Sequence, residues 1–189
     1  YDWRMQEEHN RVMIDHISDL KFAPTQTAVN NLLRENISKN TIYLTGNTIV
    51  DSLQQNLNIA YKKSKILEKL GLNQKFILVT SHRPENVDDP LRLKQVVEGI
   101  SQIANTFNHK VVFPIHPRTL KKIKEFNLKL SRKIMVIDPP GYLDFIMLES
   151  ASSLIITDSG GVQEEACILK RPCVTIRETT ERPETLNIG

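Results

Sequence analysis

Cysteine is nearly absent. Of 189 residues only Cys167 and Cys173 carry a thiol, and both lie inside apolar segments, where cysteine behaves as a small hydrophobe. No CxxC pair or Cys/His ligand spacing occurs, so a zinc site is not expected, and the two thiols suit the reduced core of a cytoplasmic protein. No apolar run approaches the roughly 18 to 20 residues of a membrane span, and nothing at the start reads as a signal peptide, so membrane insertion is not expected. An excess of one charge is missing too. Against 22 Asp and Glu stand 25 Lys and Arg, and the net +3 falls well short of the clustered basic surface that nucleic-acid binding needs. The densest basic stretch, Pro117 to Lys133, interleaves its cations with apolar residues at helical spacing and reads as a solvated helix face. The chain also begins without methionine, at YDWRMQEEHNR, and is expected to be part of something longer.

What the sequence does have is a series of short β-branched runs: Ile42 to Thr45, Phe76 to His82, Lys110 to His116, Lys133 to Asp138, Leu154 to Ser159 and Pro172 to Arg177. Runs of this length and composition are the mark of strands buried on both faces. Helical patterns separate them, at about Thr25 to Glu35, Thr48 to Leu70, Asp88 to Thr106, Pro117 to Leu128, Tyr142 to Ser152 and Gly160 to Leu169. Strand alternating with helix predicts an α/β fold, a Rossmann-like parallel sheet with helices on both faces. A boundary is expected between Thr45 and Thr48; residues 1–46 read as the end of a preceding domain and 47–189 as a second one.

Parallel sheets of this kind bind ligands beyond the carboxyl ends of their strands. Those ends carry TGN, SHRPEN, IHPRT, DPPGY, TDSGG and RETTERPE, all more polar than the strands before them. In TDSGGVQEEA, Ser159 stands where a helix N-cap belongs, and Gly160 and Gly161 leave the first-turn N–H groups uncovered, which suits an anion, most naturally a phosphate. Glu165 lies four residues beyond Gly161 on the same helical face and can accept from a pair of hydroxyls, while Glu164 turns roughly 100° away. The same residues also suit a plain glycine turn with two solvated acids.

The other strand ends add His82 with Arg83, where a histidine can hold a phosphate oxygen or move a proton, and Arg177, Thr179, Thr180 and Arg182, donors for phosphate or sugar hydroxyls. His116 in IHPRT has the same ambiguity as His82. Phe145 reads first as a core residue and second as the wall of a base pocket. Glu7 and Glu8 open an amphipathic helix and read as a solvated first turn.

Taken in order, EEHNRVMIDHISD, SHRPENVD, IHPRT, TDSGGVQEEA and RETTERPET resemble the non-hydrolysing UDP-N-acetylglucosamine 2-epimerases, in a form similar to the archaeal members, over nearly all of the chain. The resemblance implies the GT-B architecture, two Rossmann-like domains facing a cleft, of which this chain would be the C-terminal half. It implies interconversion of UDP-GlcNAc and UDP-ManNAc by elimination and re-addition of UDP, with no cofactor and no metal. It assigns the diphosphate to Ser159, Gly160 and Gly161, the ribose to Glu165, and the phosphate side of UDP to His82. The uracil falls to backbone at Phe145, substrate positioning to Arg182 with Arg177 and Thr179 beside it, and catalysis to Glu7 with His82. Arg83 and His116 become candidates for allosteric control, and the family's members are generally homodimers. Two departures stand out: Gln6 occupies the place of a proline before the paired glutamates, and the family's first-domain phosphate loop and closing C-terminal helices are missing, so the chain is expected to be truncated at both ends and to bind UDP better than it turns over. A GT-B glycosyltransferase, a hydrolysing relative and a non-catalytic UDP-sugar binding module remain as alternatives.

Overall fold

The computed structural model describes residues 6–107, 109–180 and 182–188. The chain divides into two compact units, Tyr1–Asp51 and Ser52–Gly189. The first holds α1 (Gln6–Ile17), β1 (Lys21–Ala23), α2 (Gln26–Arg34), a 3₁₀ turn (Lys39–Thr41) and β2 (Ile42–Leu44), and ends within α3 (Thr48–Lys63). β1 and β2 pair in parallel, Lys21 opposite Ile42 and Ala23 opposite Leu44. α2 starts at Thr25, whose Oγ1 accepts from the Ala28 N–H at 3.2 Å and so supplies one of the first-turn donors with a partner. α1 is tied to the end of α2 by the Arg11 guanidinium, which reaches Glu8 at 2.8 Å, Asp15 at 2.7 Å and Glu35 at 2.7 Å.

The second unit continues with α4 (Ile66–Lys69), β3 (Phe76–Thr80), α5 (Pro84–Val87), α6 (Pro90–Thr106), β4 (Lys110–Pro114), α7 (Pro117–Glu125), β5 (Ile134–Ile137), α8 (Tyr142–Ala151), β6 (Leu154–Thr157), α9 (Gly160–Ile168), β7 (Cys173–Thr175) and α10 (Pro183–Ile188). Its five strands run parallel in the order β5-β4-β3-β6-β7. All five residues of β3 are buried, and the pleat sends them to opposite sides. Ile77 and Val79 pack with Leu93, Val97 and Ile100 of α6 and Ile123 of α7, while Phe76 and Leu78 pack with Leu148 of α8 and Val162 and Ala166 of α9. A central strand therefore needs apolar residues at every position, which is why it reads as an unbroken run rather than an alternation. The α/β reading with helices on both faces holds.

The helix expected over Thr48 to Leu70 is instead two, α3 and α4, broken at Ser64 and Lys65. Ser64 explains the break. Its hydroxyl donates to Asp144 Oδ1 at 2.5 Å and accepts from the Ile66 N–H at 3.3 Å, a local side-chain bond to the first N–H of the second helix that competes with continuation of the first. The strand end RETTERPE, read as a loop, enters a short helix at Pro183, a residue preset for the first helical turn.

Candidate functional site

β3 opens the five-stranded sheet at its centre. The chain builds outward on one side through β4 and β5, then returns to the other side as β6 and β7. The order reverses between β3 and β6, the switch point where open parallel sheets leave a crevice beyond their strand ends. Thr80 and Thr157 are partners there, their hydroxyls 2.6 Å apart, so Ser81 to Arg83 and Asp158 to Gly161 leave the sheet side by side.

Asp158 organises this junction. It is fully buried and accepts from Ser81 Oγ at 3.0 Å, the His82 N–H at 2.9 Å, the Arg83 N–H at 3.0 Å and Asn86 Nδ2 at 3.0 Å. Its Oδ1 also lies 3.1 Å from His82 Nδ1. Burial works to raise its pKa, but the hydrogen bonds from His82, Asn86 and the Arg83 backbone outweigh burial and hold the carboxyl below the usual carboxylate range. With Nδ1 engaged by Asp158, Nε2 is the His82 nitrogen left to meet a ligand. The His82 ring borders a cavity of about 250 Å³ that is also lined by His116, Pro140, Phe145 and Ser159. The phosphate role expected of His82 has a direct check: His82→Ala should weaken UDP binding more than uridine binding by calorimetry, and equal losses for the two ligands would argue against it.

Ser159 is the N-cap of α9, its Oγ accepting from the Val162 N–H at 3.4 Å. Gly161 does not have the left-handed backbone conformation that reserves a position for glycine, and among the described residues outside its own helix backbone a Cβ built there would meet only Ser159 Oγ, at 3.8 Å. Neither backbone geometry nor packing among the described residues requires glycine at 161. What a side chain would cover is the approach to the helix end.

The paired glutamates separate as helical spacing predicts. Glu165 is 7% exposed and receives the Tyr142 hydroxyl at 3.0 Å, while Glu164 points to Arg182, whose Nε lies 2.8 Å from Oε1. Gln163 stitches the following segment to α9. Its Nε2 donates to Thr185 Oγ1 at 2.5 Å and toward the Arg182 carbonyl at 3.4 Å, and its Oε1 accepts from Thr180 Oγ1 at 2.8 Å. Arg182 is thus held next to α9, with half-buried Arg177 and exposed Thr179 earlier in the same loop.

His116, exposed at the N-cap of α7, places its ring 6.2 Å from that of His82, and its Nδ1 accepts from the Arg118 N–H at 3.2 Å. Phe145 is partly buried in the α8–α9 core and is among the residues that line the cavity. Ser159, Gly160, Gly161, Glu165, Phe145, His82, Arg83, His116, Arg177, Thr179 and Arg182 all belong to the second unit, whereas Glu7 is exposed in the first turn of α1, in the first unit.

Reading the sequence alone misses Asp158, Tyr142 and Gln163. For Asp158 a signal exists: a carboxylate directly after an apolar strand and before an N-cap serine must find donors, and the neighbouring strand's turn supplies them. Tyr142 and Gln163 give no such signal, because their partners lie on other elements.

The UDP-N-acetylglucosamine 2-epimerase family model matches residues 1–189. The chain is 53% identical, over 196 aligned positions, to UDP-N-acetylglucosamine 2-epimerase of Methanocaldococcus jannaschii and 52% identical to that of Methanococcus maripaludis, with all of this chain and 54% of each relative covered. Among solved structures it superimposes with a TM-score of 0.92 on the M. jannaschii UDP-GlcNAc 2-epimerase crystallised with UDP-GlcNAc and UDP, at 54% identity over all of this chain and 53% of that one. The chain spans about half the length of the curated relatives it matches.

Proposed function

The chain belongs to the UDP-N-acetylglucosamine 2-epimerase family, and from that membership we propose that it serves the interconversion of UDP-GlcNAc and UDP-ManNAc, with residues 47–189 as the UDP-binding domain. The observation that carries the reading is Gly161: a glycine that neither its backbone angles nor the described residues around it require, at the N-terminus of α9 beside the switch point. A helix N-terminus left open in this way suits the diphosphate, with Ser159 and Gly160 alongside. Glu165 then takes the ribose hydroxyls, the cavity beside Phe145 takes the base, and His82 takes a phosphate oxygen through Nε2. Arg182, with Arg177 and Thr179, positions the substrate. Arg83 and His116, next to His82, are the candidate regulatory pair.

The chemistry explains why the site is built around UDP. The hydrogen on carbon 2 of the sugar is not next to a carbonyl. It becomes removable as the carbon 1–oxygen bond breaks, the electron pair leaving with UDP and the proton going to a base, to give a 2-acetamidoglucal. UDP then adds back to carbon 1 while a proton enters the opposite face of carbon 2. Stabilising the departing diphosphate is therefore half of the task, and the α9 N-terminus and His82 suit it. Glu7 is the carboxylate we assign to the proton. A cytoplasmic location and a homodimeric assembly accord with a nucleotide-sugar substrate and with the family.

Because the chain spans about half the length of its relatives, binding and turnover are tested separately. Glu165→Ala is expected to weaken UDP binding by about tenfold, roughly 1.4 kcal/mol, through the lost ribose contacts; unchanged affinity by calorimetry would remove the ribose assignment. For turnover, the protein is incubated with UDP-GlcNAc in deuterated water and followed by proton NMR. UDP-ManNAc carrying deuterium at carbon 2 is the expected product. Free ManNAc and UDP would indicate a hydrolysing enzyme, and sugar transfer to an added acceptor a glycosyltransferase.

A further inference from the structure

Glu149 lies on α8 with no exposed surface, and no hydrogen-bond donor among the described residues reaches either of its carboxyl oxygens. An ionised carboxylate so placed would be very costly, and buried acids of this kind keep their proton instead. Its position ties it to the binding site. Tyr142, Phe145 and Glu149 stand at i, i+3 and i+7 of α8, one stripe of the helix, and Phe145 packs in the same cluster as Val162 and Ala166 of α9. From this stripe Tyr142 donates to Glu165 Oε1 at 3.0 Å, and the Glu149 carboxyl interacts with that of Glu165.

Two carboxyls facing each other in a dry interior do not both ionise. Their surroundings decide which keeps the proton. Glu165 has the Tyr142 hydroxyl and a small exposed surface; Glu149 has neither. We propose that Glu149 is a neutral carboxylic acid that donates to Glu165, holding it ionised and oriented as the acceptor for the ribose diol. Glu149 is thus a positioning residue that acts through Glu165, and the proposal rests on the ribose assignment above. The electrostatics agree with the geometry. Burial, followed by the charge of Glu165, pushes Glu149 far up. Burial also raises Glu165, with the Tyr142 hydroxyl and the proposed Glu149 donor opposing that rise and the charge of Glu164 adding to it.

The consequence is an alkaline limit on nucleoside binding. Loss of the Glu149 proton removes a donor from Glu165 and sets a second negative charge against it. Other groups facing the pair titrate in alkali as well. Tyr142 on α8 is raised by burial and then by Glu165, and the Cys173 thiol on β7 is pushed up to about 11 by burial, then by Glu149 and Cys167. Glu164 on α9 lies against Arg182, whose Nε is 2.8 Å from its Oε1, and Ser52 on α3, which does not titrate, interacts with the Tyr142 hydroxyl.

The test has two arms. The first needs no ligand: the infrared spectrum of the free protein in neutral deuterated buffer should contain the carbonyl band of a protonated carboxylic acid in wild type and in Glu165→Gln, and lack it in Glu149→Gln. A wild-type spectrum without the band, or a band that survives Glu149→Gln, overturns the proposal. The second arm measures uridine affinity by calorimetry from neutral pH to about pH 10, near the ordinary tyrosine range. Glu149→Gln keeps a neutral donor and should match wild type at neutral pH. Wild type should then weaken about tenfold more than the variant in alkali, a difference of roughly 1.4 kcal/mol. Titration of Tyr142, Cys173 and the uracil imide is common to both proteins, so parallel curves would overturn the positioning role. Should the ribose assignment itself fail, Glu165→Ala would bind uridine as wild type does while the first arm still gave its answer.

Discussion

Asp158→Ala should be the most damaging single substitution in the second unit, costing about 3 to 5 kcal/mol of folding stability, the usual scale for stripping the partner from buried donors and charge. The carboxylate has no exposed surface and satisfies the backbone N–H groups of His82 and Arg83 together with Ser81 and Asn86. Alanine removes the acceptor of the buried Ser81 hydroxyl and of the part-buried His82 and Arg83 N–H groups, and leaves Asn86 Nδ2 with only the Ile176 carbonyl, at 2.9 Å. The measurement is urea unfolding followed by circular dichroism, and an unchanged midpoint would show that the β3 and β6 loops are held by something else. Asp158→Asn keeps the shape but turns an amide N–H toward N–H donors, so a smaller loss is expected, about 2 kcal/mol. The pH dependence follows in sign. Asp158 titrates lower in the folded chain than in the unfolded one, so its contribution is fully present above the unfolded value near ~3.9 and is lost as pH falls through the folded value. The gap between wild type and Asp158→Asn should accordingly narrow below about pH 4. UDP binding should fall with either variant, because the same carboxylate anchors the His82 ring.

Asp158 also marks the limit of what the sequence disclosed. β3 and β6 are legible as apolar runs, and the α9 N-terminus is legible because Ser159, Gly160 and Gly161 are a local pattern whose partners lie within a few residues. The divergence of Glu164 from Glu165 follows from helical spacing alone. What the runs do not disclose is strand order. Only once β3 and β6 are neighbours does the turn after Thr80 face the carboxylate after Thr157, and only then does Asp158 acquire its donors. The α3–α4 break was hidden for a related reason: Ser64 looks like an ordinary helical residue until Asp144, far along the chain, takes its hydroxyl. Glu149 shows the same limit in the core. Nothing within FIMLESA marks its carboxyl as buried, and its burial becomes apparent only when α8 is packed against the sheet.

Gly161→Ala should separate ligand binding from folding more cleanly than any other change. In most glycines of a turn the two are mixed, because the residue holds a left-handed backbone or sits against a neighbour. Here neither applies, since among the described residues outside its own helix backbone the added methyl would meet only Ser159 Oγ, at 3.8 Å, an ordinary van der Waals contact. Alanine also has the better helix propensity, by up to about 1 kcal/mol, so thermal stability should be unchanged or slightly higher. The methyl would stand over the first-turn N–H groups of α9, the donors assigned to the diphosphate. UDP affinity should therefore fall at least about tenfold, some 1.4 kcal/mol, while uridine, which has no phosphate, should lose little. A matching loss for uridine would mean that the substitution disturbs the site as a whole. Undiminished UDP binding would move the diphosphate away from the α9 N-terminus and leave His82 and the arginines of the 177–182 loop as its remaining candidate partners.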